Sequence, residues 1–311
     1  MANTFNQWLN RPYLFQYGFF IFFFFSTSLN YILLLNNGNF FILYIITVIL
    51  LGIGFYNRST LFLTFFTLLV VLSRYLLIPS VDANFSTLVI YIITYLLITF
   101  ISASLMRYAQ KVKSSNIELT SALANALDSR DSYTWHHSEN VSRISLQIAK
   151  KMNLSKNLCD KIRIGGLLHD IGKIGIPENI LTKRAKLSDE EYDLIKTHPI
   201  IGHDIIKHVS TFHGSGVLDI VLYHHERYDG KGYPKGLKGK NIPLVARIVA
   251  VADSFDAMIS KRVYRKEYDL EYTLNELKKN KGTQFDPEIV DIFLQSFDGD
   301  GSSDSFVYRN K

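Results

Sequence analysis

Along the first third of the chain, long apolar runs alternate with short polar interruptions. Tyr17–Leu35, Phe40–Tyr56, Thr60–Ile78 and Ser86–Met106 are each near the ~20 residues a helix needs to cross the hydrocarbon core of a bilayer. The breaks between them are Asn36-Asn37-Gly38-Asn39, Asn57-Arg58-Ser59 and the segment Pro79 to Asn84. This pattern predicts four transmembrane helices over 1–106. A cleavable signal peptide is not expected, because the first run lacks a small-residue cleavage site and three apolar runs follow it. Beyond Met106 the polar content rises sharply, yet no Pro or Gly intervenes as far as Asp131, so the fourth helix is expected to continue as a connector over 107–130. Ala109, Asn116 and Leu123 with Val112, Leu119 and Ala126 fit the a and d positions of about three heptads, with Asn116 fixing the register of a parallel dimer. The same residues equally suit one amphipathic helix packed on the domain that follows.

From 131 to 297 a helical period recurs in Ser138–Met152, Lys156–Ile171, Asp189–Lys196, Pro199–Val209, Val217–Arg227, Pro243–Ser260, Leu270–Lys279 and Pro287–Ser296. Strand alternation is absent, so the expected class is all-α. The final 298–311 segment begins Asp298-Gly299-Asp300-Gly301-Ser302, which is similar to the opening of a calcium loop. Arg309 stands where the closing acidic ligand is needed, so the segment reads as a flexible tail.

Charge sharpens this division. Of 34 basic residues only Arg11, Arg58 and Arg74 lie within 1–106, and of 28 acidic residues only Asp82 does. Arg11, Arg58 and the Arg107, Lys111, Lys113 cluster fall on one side of the four predicted spans, which places both ends, and the whole globular part, in the cytoplasm. Arg74 is the dissenting charge. It is read as snorkelling or lining the bundle, with a ligand or lipid role as the minority alternative. The Phe19 to Phe25 stretch reads as lipid-facing surface. A pI near 9.1 is spread without a basic cluster interleaved with aromatics, which argues against a nucleic acid polymer as partner. The single Cys159 excludes an internal disulfide.

The chemistry centres on Gly165-Gly166-Leu167-Leu168-His169-Asp170-Ile171-Gly172-Lys173, an imidazole beside a carboxylate at the end of an apolar helical run. His137 stands next to the stripe Val141, Ile144, Ile148, and His169 ends the stripe Leu158, Ile162, Gly165, so both are expected on buried faces. His198 precedes Pro199 and is expected to cap the following helix. His224 and His225 close an apolar helix before a glycine-rich turn, and Asp253 is embedded in Ile248 to Phe255. One inward His is usually a core residue. Five inward His and two embedded Asp point instead to metal, which compensates buried charge. Without thiolate the set suits iron, manganese or zinc. The surplus of ligands suggests two ions about 3.5–4 Å apart, bridged by Asp170 and a hydroxide and suited to displacement at phosphorus.

These residues resemble a known family. His169-Asp170-Ile171-Gly172-Lys173 resembles the HD signature of metal-dependent phosphohydrolases, and His224 to Pro234 resembles the second signature of the HD-GYP subfamily. The pieces Arg130 to Thr134 with His137-Ser138, His198-Pro199 with Gly202, Arg247 to Asp253 with Asp256-Ala257 and Arg262, and Gly282 to Pro287 follow in the family order. The resemblance covers about 118–297. It implies an all-helical cytoplasmic phosphodiesterase that opens cyclic di-GMP to linear pGpG, or on to GMP; the membrane anchor is read from the apolar runs, and the membrane third resembles no sensor family. Carried over by position, the metal ligands are His137, His169, Asp170, His198, His224, His225 and Asp253. Lys173 holds a phosphate, Arg262 and Arg265 hold the second phosphate or a guanine, and Gly232, Tyr233 and Pro234 shape the pocket wall. Members with a third metal carry a glutamate where this chain has Tyr133, so two divalent ions, iron or manganese, are expected. His136, His203, His208 and His213 match no ligand position. Another cyclic dinucleotide or nucleotide as substrate, or an inactive docking module, are the alternatives.

Overall fold

The computed structural model describes residues 11–33, 40–78, 84–130, 136–183, 185–260 and 270–297. The expectations for the Asn36 to Asn39 break, the Pro79 to Ala83 break, Tyr133, Arg262, Arg265 and the 298–311 tail lie outside them. The described residues are helical with no strand; one isolated bridge joins Lys281 and Phe285. The chain divides into two compact units, 1–116 and 117–311.

The first unit contains α1 (Pro12–Leu33), α2 (Ile42–Gly54), α3 (Thr60–Leu77) and most of α4 (Phe85–Asp128), a continuous helix of 44 residues. Of the four predicted spans, two form helices long and apolar enough to cross a membrane, α3 and α4. The α2 helix is apolar but has 13 residues, about 20 Å at ~1.5 Å per residue against a ~30 Å core. The α1 helix has the length, but Gln16, Ser26, Thr27, Ser28 and Asn30 dilute its apolar character. Two of these polar groups are satisfied inside the bundle: Asn30 donates to the Ser26 carbonyl, and Gln16 to that of Gly54. Thr67 and Thr99 hydroxyls meet at 2.9 Å. A Cβ on Gly52 would stand 2.5 Å from the Thr99 carbonyl oxygen, so α2 approaches α4 closely because that position is Gly. The aromatic stretch is only partly outward. Phe20, Phe24 and Phe25 are exposed, whereas Phe19 is buried against Phe55 and Phe66, because successive helical residues are rotated by about 100° and cannot all face outward.

The second unit is built on the antiparallel pair α5 (His137–Lys151) and α6 (Lys156–Leu168). Val141, Ile144 and Ile148 of the first and Ile162 of the second are buried against Ile248, Val249, Ala252 and Phe255 of α11 (Leu244–Ile259). Between them lie α7 (Glu178–Leu181), α8 (Asp189–Ile195), α9 (His198–Ile206) and α10 (Val217–Tyr223), and α12 (Leu270–Lys279) and α13 (Pro287–Leu294) close the core. Ser155 caps α6, and Ser188 with Glu191 forms a capping box on α8, the local signals expected at helix starts. Along the connector, Val112, Leu119 and Leu123 are exposed, while Ala124, Leu127 and Asp128 are buried in this unit.

The run expected as one helix over Lys156–Ile171 stops at Leu168, and residues 171–175 form a 3₁₀ turn. Gly172 sets this break. A Cβ there would lie 1.8 Å from the His198 carbonyl oxygen and 2.5 Å from Gly202 N, so the backbone presses on α9 where only glycine fits. Val217–Arg227 likewise ends early, at Tyr223, which puts His224 and His225 at the mouth of the loop instead of on the helix.

Candidate metal centre

The helices bring all seven predicted donors together. His137 is the first residue of α5, His169 and Asp170 follow α6, and His198 opens α9. His224 and His225 follow α10, and Asp253 lies on α11. His198 is not the cap of its helix: Thr197 holds that position, and His198 and Pro199 form the first turn. A proline at the second helical position is as well tolerated as at the first, because neither N–H has an intrahelical partner.

The donors fall into two groups whose potential ligand atoms lie within 4.8 Å of one another, Asp170 with His198, His224 and His225, and His137 with His169 and Asp253. Asp170 joins them. Its Oδ1 is 3.2 Å from His198 Nε2 and 3.9 Å from His224 Nε2, whereas its Oδ2 is 3.4 Å from His169 Nε2 and 3.9 Å from His137 Nε2. Asp253 Oδ1 lies 3.2 Å from His137 Nε2 and 3.9 Å from His169 Nε2.

Four of the five rings, those of His137, His169, His198 and His224, are aimed by their other nitrogen. His169 Nδ1 donates to the Gly166 carbonyl at 2.8 Å, His198 Nδ1 to that of Ile195 at 2.8 Å, and His224 Nδ1 to those of Ile220 and Val221. A carbonyl only accepts, so these bonds fix the proton on Nδ1 and turn the Nε2 lone pair to the centre, the arrangement of metal-ligating imidazoles. His137 Nδ1 meets the buried Asp256 carboxylate at 2.7 Å.

Electrostatics separates the rings. Burial disfavours charge on His137, yet hydrogen bonds to Asp253 and Asp256 outweigh it and hold its pKa up at about 10. His169 is raised in the same sense: burial opposes the charge and Asp170 overcomes it. His224 is pushed down by burial and by the neighbouring rings, and His225 by burial and His198 to about 3. Burial would raise both carboxyls, but Lys173 and His169 hold Asp170 well below the usual range, and His137 does so for Asp253. Both are therefore carboxylates.

A metal fits this set. His169 Nε2 is buried with no hydrogen-bond partner, a costly state for a polar atom. His198 Nε2 and His224 Nε2 face each other at 3.3 Å, and with both rings carrying the proton on Nδ1 two lone pairs point at one place. A cation in each of the two groups would satisfy these nitrogens, and an all N and O donor set suits iron, manganese or zinc.

Around the donors, Lys173 Nζ lies 2.5 Å from Asp170 Oδ2 with its side chain partly exposed. Tyr233 lies against His225, ring centroids 4.9 Å apart, and burial pushes its hydroxyl pKa up. Glu226, buried, accepts from the Lys235 and Leu237 amides at 2.7 and 2.9 Å and so folds the Gly-Tyr-Pro loop over the donors. His136, His203, His208 and His213 lie outside the two groups. His136 meets Glu139 instead, and His213 the Lys207 carbonyl.

Sequence reasoning gave no role to four contributors. Asp256 orients His137, and its place three residues after Asp253 put it on the same helix face. Asp128, at the end of α4, accepts from Ser138 N and Oγ at 3.0 and 2.9 Å and so caps α5 beside His137. Arg130 donates to the carbonyls of Lys173, Ile174 and Ile176, gripping the turn after Asp170. Glu226 was visible only as part of a signature. The residues at the connector's end thus hold the segments that carry His137 and Asp170.

The chain is similar in sequence to several known proteins. A protein named cyclic di-GMP phosphodiesterase from Thermotoga maritima is 43% identical over 166 residues, 53% of this chain and 45% of that protein. The cyclic di-GMP phosphodiesterase response regulator RpfG of Xanthomonas campestris pv. campestris is 41% identical over 192 residues, 61% of this chain and 50% of that protein. The 3'3'-cGAMP-specific phosphodiesterase 2 of Vibrio cholerae is 34% identical over 200 residues, 64% of this chain and 38% of that protein. The chain spans about half or less of the length of these curated relatives. The family model described as HD domain matches residues 121–289, more than half of the chain. The chain belongs to the HD domain family.

Proposed function

We propose that this chain is a membrane-anchored, metal-dependent phosphodiesterase that opens cyclic di-GMP to pGpG, or on to GMP, and so lowers the messenger's level. The observation that carries the reading is the Asp170 carboxylate, which presents one oxygen to each of two histidine groups. His137, His169 and Asp253 would hold one divalent ion, His198, His224 and His225 the other, and Asp170 would bridge them. Iron or manganese bound there supplies Lewis acidity at the phosphate and an activated water. Lys173 would neutralise a phosphate oxygen beside Asp170, and Tyr233 would wall the pocket and orient the substrate. Arg262 and Arg265 would hold the second phosphate or a guanine. The finer organisation is part of the proposal: a membrane region over 1–106 crossed by α3 and α4, a signalling connector over 107–130 that pairs two copies, a domain over 131–297 in the cytoplasm, and a tail over 298–311.

Cyclic di-GMP is favoured because the 43% and 41% identical relatives carry it in their names and the cGAMP-specific one is 34% identical. The test is purification of the full chain in detergent under anaerobic conditions with iron or manganese, and assay of cyclic di-GMP beside 3'3'-cGAMP. Linear product from cyclic di-GMP with wild type and none with Asp170→Ala is expected. Preference for cGAMP would move the substrate, and full metal occupancy without turnover of either would replace the enzyme with a docking module. Metal analysis should give two ions per chain; three would overturn the two-metal site.

A further inference from the structure

The helical bundle of the first unit holds a group that the phosphodiesterase reading leaves unused. Arg74 sits in the last turn of α3. Its guanidinium carbon lies 3.7 Å from the centroid of the Tyr91 ring, 5.3 Å from that of Tyr95 and 5.6 Å from that of Phe41. Three aromatic rings, two from α4 and one from the residue before α2, therefore surround one cation. Stacking answers the charge but leaves the N–H groups of the guanidinium, which has donors and no acceptor. Arg74 Nε is buried without a hydrogen-bond partner, and so is the Tyr95 hydroxyl. Nearby hydroxyls are engaged: Ser73 Oγ meets those of Thr27 and Tyr44 at 3.1 and 3.3 Å. No carboxylate occurs among the described residues of 11–116, since the only acidic residue there, Asp82, lies outside them.

An ionisable side chain inside a membrane bundle with unmet donors marks a ligand or ion path. We propose that Arg74 and Tyr95 form a binding site for an oxyanion of the phosphate class, carried by a lipid headgroup or by a small soluble molecule. The guanidinium fork pairs with oxyanions through parallel N–H bonds, and the Tyr91 ring holds its plane. The tyrosine hydroxyl adds a further donor. Arg58 precedes α3 on the side assigned to the cytoplasm, so the last turn of α3 lies toward the opposite face. The proposal rests on the membrane reading and is independent of the HD domain's substrate.

The test uses the full chain in dodecyl maltoside, a detergent without phosphate. Resistance of the membrane-bound protein to carbonate extraction checks the membrane reading separately. Inorganic phosphate and phosphatidylglycerol are titrated while the thermal midpoint is followed, and native mass spectrometry reads lipid retention. Wild type should respond saturably to one probe, with Arg74→Gln weakening that response about tenfold or more and Tyr95→Phe, which keeps the ring and removes one donor, weakening it less. Response to inorganic phosphate identifies a soluble anion, and response to phosphatidylglycerol alone identifies a headgroup. Absence of response to both, or equal responses in wild type, Arg74→Gln and Tyr95→Phe, overturns the site. Should Arg74→Gln fail to insert, Arg74→Lys, which keeps the charge and loses the fork, decides together with Tyr95→Phe.

Discussion

Asp256→Ala should split the two metal positions. Asp256 is fully buried on α11 and reaches only one of the donor rings, His137 Nδ1 at 2.7 Å. Truncation leaves that N–H without its acceptor and lets the ring turn. A hydrogen bond to a buried charged group is worth about 1.5–3 kcal/mol. Loss of a group that orients a metal-ligating histidine typically costs about 10–100-fold in affinity, or about 1.4–2.7 kcal/mol, so two independent routes give the same size. The loss should fall on the ion held by His137, His169 and Asp253. The other ion, held by His198, His224 and His225, the first two with rings fixed by backbone carbonyls, should keep its affinity, because His137 is not among its donors. Chelator competition followed by metal analysis resolves the two steps, and thermal unfolding of the metal-free variant controls for folding. Asp256→Asn keeps an acceptor without the charge and should lose less. Equal weakening of both ions, or of neither, would refute the assignment of Asp256 to one side of the site.

Loading metal at pH 7.5 should release about one proton or more per chain, because His137, held up at about 10 by Asp253 and Asp256, must lose its proton to ligate. Calorimetry in two buffers of different ionisation enthalpy should show this, with affinity rising between pH 6 and 9; buffer-independent heats would contradict it. In the metal-free protein the sign is opposite. The raised imidazolium stabilises the fold fully below its ordinary 6.5, and the contribution is lost as pH rises through about 10. Gly172→Ala should cost roughly 1–3 kcal/mol or more by overpacking, and metal binding should fail with it, because the added carbon displaces the His198 carbonyl; a soluble variant with wild-type metal content would show the contact to be soft. Glu226→Gln should raise KM roughly tenfold with metal content unchanged, since it weakens two amide contacts of the Tyr233 loop; loss of metal instead would place Glu226 in the centre itself.

Much of this chain was legible before any coordinates. The all-helical class followed from a 3.6-residue period repeated without strand alternation, and the inward positions of His137 and His169 from their register with Val141, Ile144 and Ile162. Helix ends were read less well. Whether Lys156–Ile171 runs on depends on a clash between Gly172 and a residue 26 positions later, and no local propensity encodes that. The spans were overcounted for a related reason: Phe40–Tyr56 is an apolar run, but its helix has only 13 residues, and composition does not say where within a run a helix begins and ends.

The sequence by itself determined the donor types, their order and the faces on which they lie, because periodicity and turn residues act over a few positions. Only the tertiary structure decided that Asp170 divides its oxygens between two groups, that Asp256 aims a ring 119 residues away, and that the connector's end grips the segments bearing His137 and Asp170. Those relations depend on which helices pack together, and that is set by the burial of the whole apolar core and not by any one stretch of it.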